Sequence, residues 1–306
     1  MKFYKNLSRW GKLGLIIFLF INISFIFLLL SPIIPNFIGE MLDNQLLSEC
    51  ENRINQIRKT TIRIQIQYAN GTPVQGYNVI FNQIDHEFFF GCNIFSFDSF
   101  NKTGYNETYR EYFKRLFNFA VLPFYWRTYE PEEGVYPTEA RINNTLNWCL
   151  QNNITTKGHP LVWTRIYGKP DWIFSKNNTE LIKILEKRVK SLITKYKDKI
   201  KYWDIVNEPI HTEPFAGLNK YDFVYRTIQW ANETNITIDL TINEYGILIH
   251  DFGNGSFYQF LNNLISQDSP FHLIGIQAHE PRTDWIPATE IWKTLEINLK
   301  FKNLFI

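Results

Sequence analysis

The run Tyr202-Trp203-Asp204-Ile205-Val206 is followed directly by Asn207-Glu208. A short, mostly apolar run between two helical stretches predicts a buried strand. The amide and the carboxylate then lie at the carboxyl end of that strand. Their place helps to decide the fold, because different arrangements of parallel strands gather polar strand ends in different ways.

Short apolar runs alternate with helical stretches from residue 87 to residue 306. The clearest helix covers residues 181–196, where Leu185, Val189 and Leu192 fall on one face. Six complete strand–helix units and the start of a seventh predict parallel βα units. We interpret residues 87–306 as an incomplete α/β barrel of the (β/α)8, or TIM, type that ends at strand 7. A doubly wound open sheet is the alternative.

Polar residues at the predicted strand ends favour the barrel. They come from five strands: Asn93, His159, Asn207-Glu208, Asn243-Glu244 and Gln277-His279. In a barrel, functional residues lie at the carboxyl ends of several strands. An open sheet would instead concentrate its site at one switch point in the strand order.

The N-terminal residues predict a membrane-directing segment. A basic flank within residues 1–12 precedes an uncharged run that is longer than the roughly 20 residues of a spanning helix. We expect a transmembrane signal-anchor at 13–38, with a cleaved signal peptide as the alternative. The basic flank places residues 1–12 in the cytoplasm and the rest of the chain outside it, either as a single-pass membrane protein or as a secreted one.

Two short segments are expected between this anchor and the barrel. Residues 39–60 are polar and mixed in charge, which predicts a stalk for which a helix is one option. Residues 61–68 then alternate apolar and polar side chains with period two, and the tight-turn dipeptide Asn70-Gly71 and a returning strand at 77–81 follow. Together they predict a small β element at 61–86.

The composition excludes several classes of function. The net charge of +2 lacks the basic excess of a nucleic-acid-binding surface. Neither metal-site spacing nor a Gly-rich phosphate loop occurs, so we expect no metal and no cofactor. Aromatic residues make up 17% of the chain, which fits both core packing and stacking on sugar rings. Asn-x-Ser/Thr triplets suit a secreted glycoprotein, although an Asn-rich chain also produces them by chance.

Glu208 is the best candidate for acid–base chemistry. Cleaving a glycosidic bond needs one carboxylic acid that protonates the leaving oxygen and a second carboxylate that acts as nucleophile or base. A carboxylate at a strand end beside aromatic side chains suits the first role. Glu208 meets this description, since Trp203 is close in sequence and Asn207 precedes it. A lone Asn-Glu-Pro would be more typical of a capped turn.

The six residues 203–208 resemble a motif of glycoside hydrolase family 10, the endo-β-1,4-xylanase family. Further strings resemble that family in the same order along the chain. They are Phe90-Gly91-Cys92-Asn93, Trp126 with residues 130–136, residues 158–163 with Pro170-Asp171-Trp172, Asn243-Glu244-Tyr245 and residues 275–279. The resemblance therefore extends over the predicted barrel from residue 88 onward.

This resemblance implies a retaining glycosidase that acts on a β-linked polysaccharide or oligosaccharide. Glu208 would be the acid/base, and Asn207 would bind the 2-hydroxyl of the sugar at the cleavage point. The implied substrate-binding residues are His159, Trp163, Trp126, Asn243, Gln277 and His279. Of these, His279 would also orient the nucleophile.

Two departures from the family pattern concern the substrate. Typical members carry Glu-Asn-x-x-Lys-Trp in the second loop, with Asn and Lys as sugar ligands, whereas residues 121–126 are Val-Leu-Pro-Phe-Tyr-Trp. Hydrogen bonds to hydroxyl groups discriminate strongly between sugars, so the resemblance does not fix xylan as the substrate. In addition, Thr164 stands where the family usually has His.

A third departure concerns the nucleophile, which in the family is the Glu of a Thr-Glu pair at the end of strand seven. Thr289-Glu290 lies at the start of the preceding predicted helix, so we reject it. We expect residues 1–306 to be a fragment that lacks the nucleophile and is inactive by itself. The alternatives are a membrane-tethered glycan-binding pseudoenzyme and a glycosidase of a related barrel family that shares Asn-Glu-Pro.

Overall fold

The computed structural model describes residues 33–84, 86–250, 255–278 and 286–298. The chain divides into two compact units. The first unit includes the described residues 33–77 and 286–292, and the second includes the remaining described residues.

Helix α1, Ile33–Arg53, is the main element of the first unit, and it continues as a π-helical turn, Ile54–Arg58. The predicted stalk is therefore helical through most of its length. In the same unit, Oδ1 of Asp43 accepts hydrogen bonds from the backbone N of Thr289 at 2.9 Å and from its Oγ1 at 2.8 Å. Both bonds lower the pKa of the Asp43 carboxyl, and the bond from the backbone N–H of Thr289 has the larger effect.

Residues 1–32, which include the predicted cytoplasmic tail and most of the predicted signal-anchor, lie outside the described residues. Within the ranges that are described, no helix combines the length and the apolar character that crossing a membrane requires.

The small β element predicted at 61–86 does not form as a pair of strands. Residues 61–66 and 77–81 are irregular and exposed, and the one pairing among the described residues of this segment is an antiparallel bridge between Gln67 and Pro73. The turn between them forms as predicted, with Gly71 at φ 85° and its N–H donating to the carbonyl of Tyr68. The strands were predicted wrongly because a lone hairpin with no apolar partner is marginal in water.

The second unit contains a curled, wholly parallel sheet. Its strands are β1 (Gly91–Asn93), β2 (Phe119–Pro123), β3 (Thr155–His159), β4 (Val162–Trp163), β5 (Tyr202–Asn207), β6 (Asp239–Tyr245) and β7 (Leu273–Gln277). The spatial order is β1-β2-β3-β5-β6-β7, with β4 also pairing with β5. A doubly wound sheet reverses its order at a switch point, whereas this order follows the sequence throughout. The sheet is therefore that of a partial (β/α)8 barrel.

Helices alternate with the strands along the chain, as the pattern predicts, and a last helix follows β7. They are α2 (Tyr105–Leu116), α3 (Trp126–Tyr129), α4 (Glu139–Gln151), α5 (Asn178–Tyr196), α6 (Lys220–Thr234), α7 (Ile247–His250), α8 (Ser256–Ser266) and α9 (Ala288–Asn298). Helix α5 begins with a capping box between Asn177 and Glu180. Its predicted apolar face is buried, with Leu185 and Val189 fully covered.

The first strand is shorter and less buried than the sequence predicts. Only residues Gly91–Asn93 pair, and Phe88, Phe89 and Phe90 before them are exposed. Among the described residues, β1 pairs with β2 alone, so its other edge lies uncovered. The strand predicted at 303–306 lies outside the described residues.

Large aromatic side chains are packed in the core of the second unit. Trp203 and Phe124 are fully buried, with ring centroids 4.8 Å apart. Gly158 leaves the space that the indole occupies, since a Cβ there would lie 2.4 Å from the Trp203 ring. Beside them, buried Arg188 donates to the carbonyl oxygens of Leu161 and Phe124 and so ties the loops after β2 and β3 together. Burial lowers the pKa of Arg188 to about 9.

Candidate active site

Glu208 follows the last residue of β5 and lies where side chains from several strand ends meet. Its Oε2 accepts a hydrogen bond from Nε1 of Trp163 at 3.2 Å and lies 3.2 Å from Nε of Arg165. Its Oε1 is 3.4 Å from Nε2 of Gln277 at the end of β7. Glu208 is 9% exposed, so the carboxylate is largely enclosed and still open to one side. These contacts come from the ends of β4 and β7, so three strand ends meet at Glu208 when β5 is included, as a barrel site requires.

The backbone of Glu208 is held in an uncommon conformation. Its φ is 55°, in the left-handed region that non-glycine residues rarely occupy. Two hydrogen bonds hold it there: its N–H donates to the carbonyl of Asn243 at 2.7 Å, and its own carbonyl accepts from Oγ1 of Thr212 at 2.8 Å. A conformation of this kind costs on the order of 1–3 kcal/mol and is concentrated at functional sites.

Asn207 is oriented by two amide donors. Its Oδ1 accepts from Nδ2 of Asn243 at 2.7 Å and from Nε2 of Gln277 at 3.1 Å. With its oxygen occupied, the amide nitrogen of Asn207 carries the donors that remain for another partner. Gly275 on β7 makes room for this arrangement, since a Cβ there would lie 2.4 Å from Oδ1 of Asn243. The structure therefore brings together Asn207, Glu208, Asn243 and Gln277.

His159, at the end of β3, is held by a buried carboxylate. Its Nδ1 lies 2.7 Å from Oδ2 of Asp204, and Lys157 Nζ lies 2.6 Å from Oδ1 of the same carboxylate. Burial opposes ionisation of Asp204, but the charge of Lys157 and the bond to His159 outweigh it and lower the pKa of Asp204. Because this bond occupies Nδ1, only Nε2 of the His159 ring is left for another partner.

Aromatic rings form one wall of the site. Tyr125, just after β2, contacts His159 edge-on with centroids 5.5 Å apart and lies 5.8 Å from the ring of Trp163. Trp163 in turn stacks on Tyr167, which is 61% exposed. Burial raises the pKa of Tyr125, and the carboxylates of Glu208 and Asp204 raise it further, since both lie near its hydroxyl. Tyr125 was not among the predicted site residues.

Trp126 does not lie on this wall, contrary to its prediction as a substrate-binding residue. It is 1% exposed, and its Nε1 donates to Oε2 of Glu130 at 2.9 Å. Oε1 of Glu130 accepts from the N–H of Gly134 and from the hydroxyl of Tyr136. The carboxylate of Glu130 thus holds the loop of residues 130–136 together beside the buried indole of Trp126. The sequence analysis assigned to Trp126 the place that Tyr125 occupies. Neighbouring side chains along an extended chain point to opposite sides, so an error of one residue moves a side chain from the cleft to the core.

Arg165 is a site residue that sequence reasoning missed. Its Nε contacts Glu208, and its Nη2 donates to the hydroxyl of Tyr245, at the end of β6, at 3.0 Å. The guanidinium also lies 5.7 Å from the centroid of the Tyr245 ring. A signal was present in the sequence, because Arg165 comes two residues after Trp163 and side chains at that spacing along an extended chain share a face. The intervening Thr164 is buried.

Glu244 is the second carboxylate at the strand ends, and its environment rules out a nucleophilic role. It is 0% exposed, and its oxygens accept from Ile210 N, His211 Nδ1 and Tyr245 N at 2.8–2.9 Å. Burial raises its pKa against these hydrogen bonds. Glu244 therefore holds the turn after Glu208.

Two predictions for the second carboxylate site have different outcomes. His279 lies outside the described residues. Thr289-Glu290 lies in the first turn of helix α9, as the sequence predicted when this pair was rejected as a strand end. Within the described ranges, no three His, Cys, Asp or Glu side chains are grouped closely enough to hold a metal ion.

Comparison with known families agrees with this arrangement of strand-end residues. The model of the family described as "Glycosyl hydrolase family 10" matches residues 82–300, which include the whole described sheet. The chain belongs to glycosyl hydrolase family 10. The resemblance read from the sequence is thereby confirmed, and the partial barrel is the expected frame for a member of glycosyl hydrolase family 10.

Curated relatives include several xylanases at low identity. Endo-1,4-beta-xylanase 5 of Arabidopsis thaliana is 27% identical over 199 residues, which are 64% of this chain and 34% of that protein. Endo-1,4-beta-xylanase B of Thermotoga neapolitana is 30% identical over 186 residues, which are 56% of this chain and 52% of that protein. The chain thus spans between about a third and about half of the length of these two relatives.

Solved structures share the fold. Xylanase 10B of Thermotoga petrophila, solved in complex with xylobiose, aligns with a TM-score of 0.54 at 24% identity over 62% of this chain and 60% of that one. A family 10 protein from Paenibacillus barcinonensis aligns with a TM-score of 0.58 at 21% identity over 69% and 65% of the two chains. At such identities the likeness concerns the fold alone.

Proposed function

We propose that this protein is a glycosidase that hydrolyses β-1,4-linked polysaccharide of the xylan type with retention of configuration. The observation that carries the proposal is the position of Glu208, enclosed at a strand end and hydrogen-bonded by Trp163 and Gln277. Family membership and the xylanase names of the relatives support the reaction class.

In this proposal Glu208 is the general acid and then the general base. As the acid, it protonates the glycosidic oxygen while the bond to the anomeric carbon breaks. As the carboxylate, it then takes a proton from the water that releases the sugar from the enzyme. Trp163 and Gln277 fix the carboxylate in one orientation, so that little rearrangement is needed during proton transfer.

Asn207 and His159 are proposed sugar ligands. The amide nitrogen of Asn207 would donate to the 2-hydroxyl of the sugar at the cleavage point, a contact that strengthens in glycosidase transition states. His159 would offer Nε2, because its Nδ1 is held by Asp204. The rings of Trp163 and Tyr167 stack on each other, and we propose that they also pack against the faces of sugar rings.

A retaining reaction also needs a carboxylate nucleophile. Asp204 is 2% exposed and paired with Lys157 and His159, and Glu244 is fully buried, so neither can attack an anomeric carbon. We propose that the nucleophile comes from outside the described residues and that His279 orients it.

The decisive experiment replaces Glu208 by Ala in the protein expressed from its whole coding region. Hydrolysis of xylan should fall by at least about 1,000-fold, since positioned acid–base catalysis contributes up to roughly 10⁴-fold. A dinitrophenyl glycoside needs no protonation of its leaving group, so its cleavage should be impaired far less, and azide should accelerate its turnover. Unchanged xylan hydrolysis by Glu208→Ala would refute the assignment. Glu213→Ala, on the exposed loop after β5, is the matched control.

A glycan-binding protein without catalysis is the second candidate, and one observation favours it. At the positions of the family's Asn and Lys sugar ligands, this chain has Leu122, which is fully buried in β2, and Tyr125. A site that has lost polar sugar ligands binds its substrate less selectively. This candidate predicts xylo-oligosaccharide binding without any release of reducing ends.

We further propose the organisation of the chain along its length. Residues 1–12 would be a cytoplasmic tail, 13–38 a signal-anchor or signal peptide, 39–60 a stalk, and 87–306 an extracytoplasmic partial barrel. Alkaline carbonate extraction of microsomes would distinguish a retained anchor, which keeps the chain in the membrane pellet, from a cleaved signal, which releases it.

A further inference from the structure

Arg165 has an exposed charge in direct contact with the proposed catalytic carboxylate. Its side chain is 45% exposed, and its Nε lies 3.2 Å from Oε2 of Glu208. Pairing alone would satisfy the enclosed carboxylate of Glu208, but the exposure of Arg165 also leaves its guanidinium open to a ligand in the cleft. The proposed reaction assigns no role to Arg165.

The side chain is held in place rather than loose at the surface. Its Nη2 donates to the hydroxyl of Tyr245 at 3.0 Å, and its guanidinium lies 5.7 Å from the centroid of that ring. Tyr245 is itself stacked on His211, with centroids 4.0 Å apart. Arg165 therefore spans from the end of β4, past Glu208, to the end of β6.

Most of the hydrogen-bonding capacity of this guanidinium is unused. An arginine has five N–H donors, and among the described residues Arg165 uses Nε for Glu208 and Nη2 for Tyr245. Nη1 has no protein partner in those ranges. A planar fork of N–H donors on an exposed cation suits a carboxylate.

Oε2 of Glu208, in contrast, is an acceptor that already has two donors. It receives both Nε1 of Trp163 and Nε of Arg165. An oxygen that accepts from two N–H donors is poorly placed to donate a proton to a leaving group. A substrate that draws Arg165 away therefore leaves Trp163 as the one donor to Oε2 among the described residues, so that this oxygen can carry the proton for general acid catalysis.

We propose that Arg165 is a specificity-determining residue that recognises an acidic substituent, a uronic-acid carboxylate, on a sugar next to the bond to be cleaved. The carboxylate of the substrate binds the guanidinium and so breaks its contact with Oε2 of Glu208. A neutral substrate leaves the contact between Arg165 and Glu208 intact. This inference rests on the proposed function for the catalytic role of Glu208, and its binding component can be tested without catalysis.

The binding test uses non-hydrolysable, thio-linked xylotetraose with and without a glucuronic-acid branch. Calorimetric titration of the unmodified protein should give about 10-fold tighter binding of the acidic ligand at low ionic strength. The preference should shrink at 0.5 M NaCl, because salt screens exposed charges. In Arg165→Gln the preference should disappear, and in Arg165→Lys part of it should remain. Arg141→Gln, on the exposed face of α4, should keep the full preference.

Hydrolysis of the corresponding oxygen-linked substrates tests the release of Glu208. Arg165→Gln should increase kcat on the neutral substrate by several-fold and decrease kcat/KM on the acidic one. A structural role for Arg165 would instead lower both values by the same factor. Equal binding of the two ligands by the unmodified protein, or equal losses for both substrates in Arg165→Gln, would overturn the inference. An acidic preference without hydrolysis would support Arg165 as the ligand and refute the proposed catalytic function.

Discussion

The indole Nε1 of Trp163 lies 3.2 Å from Oε2 of Glu208, so an aromatic side chain on β4 donates directly to the carboxylate that follows β5. The two strands pair in register, with Val162 opposite Val206 and Trp163 opposite Asn207. The sheet itself therefore sets this distance. A contact fixed by paired strands needs no loop closure to form.

Replacing Trp163 by Phe tests this contact. Phe keeps an aromatic ring but removes the N–H, and hydrogen bonds to charged groups contribute about 1.5–3 kcal/mol. We expect kcat/KM on xylo-oligosaccharides to fall by at least about 10-fold with little change in the free energy of unfolding. Trp148→Phe, which alters a ring packed against Phe97 and Phe113, is the matched control. Equal kinetic effects of the two variants would contradict the prediction.

Gly275→Ala should damage the site through Asn243. The new Cβ would lie 2.4 Å from Oδ1 of Asn243, which must move and weaken its bond to Asn207. Overpacking of this kind costs about 1–3 kcal/mol of stability, and we expect activity to fall as well. Gly39→Ala in helix α1 meets no atom within 4 Å and should stabilise its helix by about 0.5–1 kcal/mol. Urea denaturation should show a lower free energy of unfolding for Gly275→Ala and a higher one for Gly39→Ala.

Asp204→Asn should lower stability in a pH-dependent way. The pKa of Asp204 is lower in the folded protein than its ordinary value of 3.8, so its stabilisation is present above pH 3.8 and is lost as the pH falls through the lower folded value. Removing one partner of a buried pair costs about 3–5 kcal/mol. We expect a loss of that size at pH 7 and a flatter stability curve below pH 4.

The control for Asp204→Asn is Asp239→Asn, which breaks an exposed pair with Lys201. Exposed pairs contribute about 1 kcal/mol or less. Chemical denaturation at pH 7 and pH 3 measures both variants. A loss for Asp204→Asn that is the same at both pH values would contradict a lowered pKa.

Trp126 and Tyr167 should respond in opposite ways to truncation. Trp126 is 1% exposed, so Trp126→Ala should reduce the free energy of unfolding by about 3–5 kcal/mol. Tyr167 is 61% exposed, so Tyr167→Ala should change stability by only about 0.5 kcal/mol. Its effect should instead be weaker oligosaccharide binding, seen by titration. Weaker binding by a stably folded Trp126→Ala would restore the sequence prediction for Trp126.

The strand–helix alternation of the barrel could be predicted because local patterns carry it. The buried face of α5 follows from its 3.6-residue period, and the polar ends of β5 and β6 follow buried runs. The prediction of strands at 61–68 and 77–81 was wrong. Alternation with period two indicates which side chains prefer burial, but it does not indicate whether another part of the protein covers them. The exposed Phe88–Phe90 segment failed for the same reason.

The sequence by itself determined the family, the partial barrel and the central place of Asn207 and Glu208, because order and spacing of motifs are properties of the chain. Only the tertiary structure placed Trp126 in the core and Tyr125 in the site, and only it brought Arg165 onto Glu208. Those facts depend on where side chains from separate strands meet. Contacts between residues that are far apart along a chain are set by sheet register and packing, which single-residue patterns do not encode.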